Sequence, residues 1–404
     1  MSTPDRARAI ALDKADSLAP FLERFVPPPE GIVYFDGNSL GQLPHATREA
    51  LRHTVDVEWG ERLIRSWSEG WMELPFAAGD LLGTELLGAA PGQTVLADST
   101  TVNFFKLASA ALTARPDRTR ILTDHANFPT DRYVVESLAL AHHRQIDWLT
   151  TDPAGGPEPD AVEALIAEDT ALVTFSHVAY RSAHIADMRA ITELAHARGA
   201  LVLWDLSHSV GALPLALDDE HVDLATGCTY KYLNGGPGAP AFLYVNHALQ
   251  SELAQPIWGW TGRRDPFAMA PGYLAGEGIA QMLSGTPHVL GLTAAREGIA
   301  LSAEATIAAI RAKSTLLTGY AIELADAILA PHGVGLGSPR DPARRGGHVS
   351  LTHPDARRLC ERLIDAGVIP DFREPDVIRV GLSPLTTRFV DVHEGLTRLA
   401  ALLR

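Results

Sequence analysis

Between residues 92 and 245, short apolar runs alternate with stretches of helical periodicity. The runs fall at 94–97, 120–123, 145–149, 171–175, 201–204, 224–227 and 241–245, each of a length suited to a buried strand. Strands buried on both faces and separated by helices predict a seven-stranded, mainly parallel sheet of an α/β protein, covered on both sides. Beyond residue 287 the helical pattern runs with little interruption from about 290 to 329. Strand candidates at 348–351 and 377–382, with helices over 356–366 and 392–403, then predict a smaller α+β domain. The first 60 residues, loop-rich and carrying Pro27-Pro28-Pro29, predict an arm across the larger body, with an amphipathic surface helix within 1–25. The expected division is an arm at 1–60, a large domain at 61–290 and a small domain at 291–404.

A formal charge of −15 over 404 residues, with no basic run, disfavours nucleic acid as a partner. No segment has the roughly 20 apolar residues of a membrane span, and the charged start of the chain is unlike a signal peptide, so a cytoplasmic protein is expected. Cys228 and Cys360 offer neither a disulfide framework nor a cysteine metal spacing. Of the 16 histidines, His142 and His143 are adjacent and no helical His-x-x-x-His carries a carboxylate, so no catalytic metal is expected.

In such a sheet, ligands bind at the carboxyl ends of the strands. Lys231 follows the 224–227 run and precedes a glycine-rich turn, while Asp205 ends the run at 201–204, with His208 just beyond. An isolated lysine at a strand end is ordinarily a solvated ammonium. Here an amine and a carboxylate arrive together at strand ends, which suits pyridoxal phosphate: the aldehyde takes the amine and the ring nitrogen takes the carboxylate. Thr100 and Thr101 open a helix after the 94–97 run, where free N–H groups can hold a phosphate or serve simply as a capped start. Asn127, Phe128 and Asp131 follow the 120–123 run in a proline turn. Phe128 can stack on a ring, or Asp131 can merely cap the next helix. Arg379 stands among apolar neighbours in the 377–382 run, a position suited to binding a carboxylate bidentately.

Several stretches together resemble the kynureninase family, fold-type-I pyridoxal phosphate enzymes of the class V aminotransferase group. They are 34–44, 127–131, 204–212, 227–238, 347–350 and 371–375. The resemblance implies hydrolysis of kynurenine to anthranilate and alanine. It implies that Lys231 bonds the cofactor, Asp205 pairs with its ring nitrogen and Tyr230 donates a proton. Thr100, Thr101, His208 and Tyr230 would hold the cofactor and its phosphate, Phe128 and Asp131 would frame the ring, and Ser176 would lie near it. Trp260 and Thr286 would reach the phosphate from the neighbouring subunit of a homodimer. Arg379 would take the substrate α-carboxylate, with Asn38 and Trp67 bordering the substrate. The chain departs from the family pattern at Thr261 and Arg263, where Trp-Phe-Gly-His is usual, and 66–71 is one residue shorter than the bacterial form. These departures keep open a relative acting on a substituted kynurenine or another β-substituted amino acid. More distant readings are a desulfurase that uses Cys360 and a protein that binds the cofactor without turnover.

Overall fold

The computed structural model describes residues 4–404. Thirteen strands are β1 (Val33–Tyr34), β2 (Thr94–Ala97), β3 (Arg120–Asp124), β4 (Gln145–Leu149), β5 (Thr170–Ser176), β6 (Leu201–Asp205), β7 (Leu224–Gly227), β8 (Ala241–Val245), β9 (Gly335–Leu336), β10 (His348–Thr352), β11 (Val368–Ile369), β12 (Asp371–Arg373) and β13 (Val377–Gly381). Among the described residues the eleven α-helices are α1 (Arg6–Ala15), α2 (His45–His53), α3 (Leu74–Leu82), α4 (Thr100–Ala114), α5 (Pro129–Ala141), α6 (Pro159–Glu163), α7 (Met188–Ala197), α8 (Val289–Ala305), α9 (Ile307–Ile328), α10 (Ala356–Asp365) and α11 (Phe389–Leu402).

All seven expected runs are strands of one sheet, in the order β2-β8-β7-β6-β5-β3-β4. Only β8 runs against its neighbours, antiparallel to both β2 and β7, so the sheet is mixed. Every residue of β5, β6, β7 and β8 is buried, because helices cover both faces. Alternation along β6 makes the point: Val202 and Trp204 pack with α3, α7 and α8, whereas Leu201 and Leu203 pack with α4 and α5.

The smaller body is an antiparallel sheet, β12-β13-β10-β9, packed with α9, α10 and α11. The expected near-continuous helix over 290–329 is two helices. Thr306 breaks it at φ +64°, and its hydroxyl accepts from Ala309 N. The break lets α8 bury Leu292 and Ile299 against the large sheet while α9 buries Leu317 and Leu324 in the small core.

The N-terminal segment expected to lie as an arm is built into both bodies, its first three residues lying outside the described ones. Residue Ala9 of α1 and Phe35 sit in the small core, β1 pairs in parallel with β11, and α2 packs on α8. Asp13 accepts from Phe389 N and Val390 N at 2.7 and 3.1 Å, capping α11. Asp16 and Lys313 form a buried ion pair at 2.7 Å.

Asp124 closes β3 in a buried position, and burial lifts its carboxyl to about 6 against relief from the N–H groups of Ala126 and Asn127. Because this lies above its ordinary value of 3.8, the folded chain holds a proton there that the unfolded chain releases. Stability therefore falls as pH rises from about 4 through 6. Asp124→Asn should abolish that loss, matching the parent below pH 4 and exceeding it by about 3 kcal/mol at pH 7, as measured by urea unfolding across a pH series.

Candidate active site

Three adjacent parallel strands deliver the central groups. Ser176 ends β5 opposite Asp205, the last residue of β6, and Asp205 in turn lies opposite Thr226 of β7. Lys231 follows β7 in a tight turn, closed by Asn234 N donating to Lys231 O and Gly235 N to Thr229 O, both at 2.9 Å. Against this turn lies Gly41, whose N donates to Tyr230 O at 2.8 Å. A Cβ there would come within 2.4 Å of Lys231 O, so only glycine lets the 36–41 loop approach.

The Lys231 ammonium is buried 3.4 Å from His208 Nε2, with the Phe128 and Tyr230 rings centred 5.8 and 5.9 Å away. Burial, then the charges of Lys231 and Arg379, push the His208 pKa well below its ordinary value, so the ring is neutral. Asp205 accepts from Ser207 N at 2.8 Å and from Ser176 Oγ at 3.4 Å. Ser176 is itself placed by Asn127 Oδ1 at 2.7 Å, and that same oxygen accepts from Phe128 N at 2.8 Å. Asp131 is a second buried carboxyl beside Asp205. Burial, followed by the Asp205 charge, raises its pKa strongly, and its Oδ2 has no partner among the described residues. An amine, an aromatic face and two carboxyls, one with an unpartnered oxygen, are thus gathered at the strand ends, a set that suits a polar aromatic ligand.

Ser99 caps α4, accepting from Val102 N at 3.4 Å. A cavity of about 410 Å³ lies at this helix start, bordered by Asp98, Ser99, Thr100, Tyr230 and Thr286. Thr101 is exposed on the first turn of α4. Trp260 Nε1 donates to Thr286 Oγ1 at 3.3 Å, and the Trp260 ring meets Trp67 edge-on at 6.4 Å. Trp67 thus joins the Trp260 cluster within one chain and makes no described contact with Arg379.

Arg379 is 1% exposed. It donates to Tyr180 O at 2.8 Å, to Ser39 Oγ at 2.7 Å and to Asp371, with Asp36 at 4.0 Å. Burial raises the Asp36 carboxyl to about 6, against a bond from Ser39 that lowers it. Asn38 is fully buried and neither amide atom has a partner among the described residues. Sequence reading assigned no role to Asp371, Ser39 or His348, whose buried ring stands 5.7 Å from His208. The signal for Asp371 lay in the short Glu374-Pro375-Asp376 turn, which folds β12 onto β13 and sets Asp371 across from Arg379.

Residues 310–399 match the family model described as the kynureninase C-terminal domain. Among solved structures, the apo cysteine desulfurase of Thermococcus onnurineus NA1 superposes with a TM-score of 0.84 at 18% identity, covering 95% of this chain and 97% of that one. A cystine C-S lyase in complex with cysteine persulfide gives a TM-score of 0.81 at 18% identity, covering 92% of this chain and 98% of that one. Both establish the fold. The kynureninase of Burkholderia pseudomallei is 41% identical over 98% of this chain and 95% of its own. That of Pseudomonas fluorescens is 42% identical over the same shares. At that identity, along nearly the whole of both chains, this protein belongs to the kynureninase family.

Proposed function

We propose that the protein hydrolyses the Cβ–Cγ bond of L-kynurenine or 3-hydroxykynurenine, giving anthranilate or its 3-hydroxy form and L-alanine. The hydroxyl of water goes to the γ-carbonyl carbon and a proton to Cβ. The observation that carries this reading is the buried Lys231 amine, set between Phe128 and Tyr230 beside the Asp205 strand end, in a chain of the kynureninase family. The donor set fits pyridoxal 5′-phosphate, which when bound supplies the electron-accepting ring that lets the Cα proton leave and the carbon–carbon bond break.

Lys231 would hold the cofactor, with Asp205 at its ring nitrogen, Phe128 over its face, and Asp131, Ser176 and His208 around it. Thr100, Thr101 and Tyr230 would serve the phosphate at the α4 start, where unpaired N–H groups favour an anion. Arg379 orients the substrate through its α-carboxylate, and Asn38 and Trp67 border it. Lys231 Nζ, buried beside the substrate, would take the Cα proton. Neutral His208 leaves that nitrogen free of a competing cation. Burial raises the Tyr230 phenol, which keeps its proton in place for delivery to Cβ.

The same reading makes the protein a cytoplasmic homodimer in which Trp260 and Thr286 serve the partner's phosphate. Exposed Trp258, Phe267 and Met269 beside Trp260 support a covered face. Two free, buried cysteines suit a reducing compartment. Cys360 lies in the small core with its thiol lifted to about 12 by burial, so it supplies no mobile nucleophile for a desulfurase.

Release of anthranilate, followed by its fluorescence, should be lost by about a thousandfold or more in Lys231→Ala. Turnover of neither kynurenine by cofactor-loaded parent protein would sink the substrate assignment. Arg379→Lys keeps the charge but loses the planar fork, so KM for kynurenine should rise by about 10- to 100-fold with kcat less affected. Steady-state kinetics with an unchanged KM would remove Arg379 from the carboxylate site.

A further inference from the structure

Lys106 is a buried cation that the chemistry above leaves unused. It lies in α4, nearly two turns past the helix start, and its side chain is fully buried, as are Phe104, Leu107 and most of that helix from Asn103 to Leu112. Its ammonium meets Asp98 Oδ2 at 2.5 Å and donates to Met282 O at 2.9 Å. These two acceptors belong to different segments. Asp98 joins β2 to the cap residue Ser99 and takes a left-handed backbone at φ +48°, a conformation uncommon outside glycine. Met282 leads into the turn that carries Thr286. That turn is further tied by Thr261 Oγ1 donating to Gly285 O at 2.8 Å and by the Trp260–Thr286 bond. The cavity at the α4 start is bordered by both segments.

A leucine or methionine at position 106 would fill this face of α4 without the desolvation that a buried ammonium suffers. What the ammonium adds is one fixed point shared by two turns. We infer that Lys106 is a positioning residue for the phosphate sites of the dimer, holding the turn with Ser99 and Thr100, which serves this chain's own cofactor phosphate, in register with the turn whose Thr286 serves the partner's. The inference rests on the reading of the α4 start as the phosphate site.

The test is to strip the cofactor and titrate the full-length apoenzyme with pyridoxal phosphate and, separately, with pyridoxal, following the absorbance of bound cofactor. Lys106→Met should weaken pyridoxal phosphate binding by about tenfold or more while leaving pyridoxal within about twofold, so the preference for the phosphorylated form collapses. Lys106→Arg, which restores a cation, should recover part of that preference. Asp98→Asn keeps the shape of its side chain and should reduce the preference in the same direction, giving a second reading if Lys106→Met does not fold. Equal losses for both ligands, or no loss for either, would overturn the positioning role. A parent enzyme that binds pyridoxal as tightly as its phosphate would instead overturn the phosphate site itself.

Discussion

The parallel register of β5, β6 and β7 is the constraint from which the site follows. Three strands hydrogen-bonded side by side end at one edge, so Ser176, Asp205 and the turn bearing Lys231 arrive together without any of them reaching across the fold. Parallel pairing demands helices on both faces, which is why the strands are largely apolar. The ionisable residue of these three strands, Asp205, stands at a strand end, where a buried carboxyl can be used rather than merely tolerated.

Around that edge, the polar groups are placed by neighbours more than by their own positions. Asn127 fixes Ser176, which approaches Asp205; Ser39, Tyr180 and Asp371 fix Arg379. Such a network preorganises donors before a ligand arrives, which lowers the reorganisation needed on binding. Gly41 contributes by absence, since its missing side chain lets the 36–41 loop rest on the Lys231 turn.

The strands, the architecture of two bodies and the strand-end residues were legible because apolar runs and helical periodicity are local signals. The direction of β8 was not, as a buried strand reads the same forwards and backwards. The break at Thr306 carries no glycine or proline to announce it, and the choice is made by two separate cores pulling α8 and α9 apart. Nothing local to Lys106 in the sequence points to its two acceptors, because they lie on the preceding turn and 176 residues downstream. The N-terminal segment read as a loose arm because its partners, β11 and α11, lie at the other end of the chain.

That interlocking of the two ends also sets an order of events during synthesis. Asp13 leaves the ribosome 376 residues ahead of Phe389, whose helix it caps, an interval of about 20 to 75 s at ordinary elongation rates. The strands of the large sheet are all made before residue 246 and can assemble in that time, while α1, β1 and the loop through Ser39 wait without their partners. Arg379 receives Ser39 only when β13 has emerged. A chain interrupted between residues 246 and 379 can hold the strand ends of the large body yet lacks the buried guanidinium that meets Ser39.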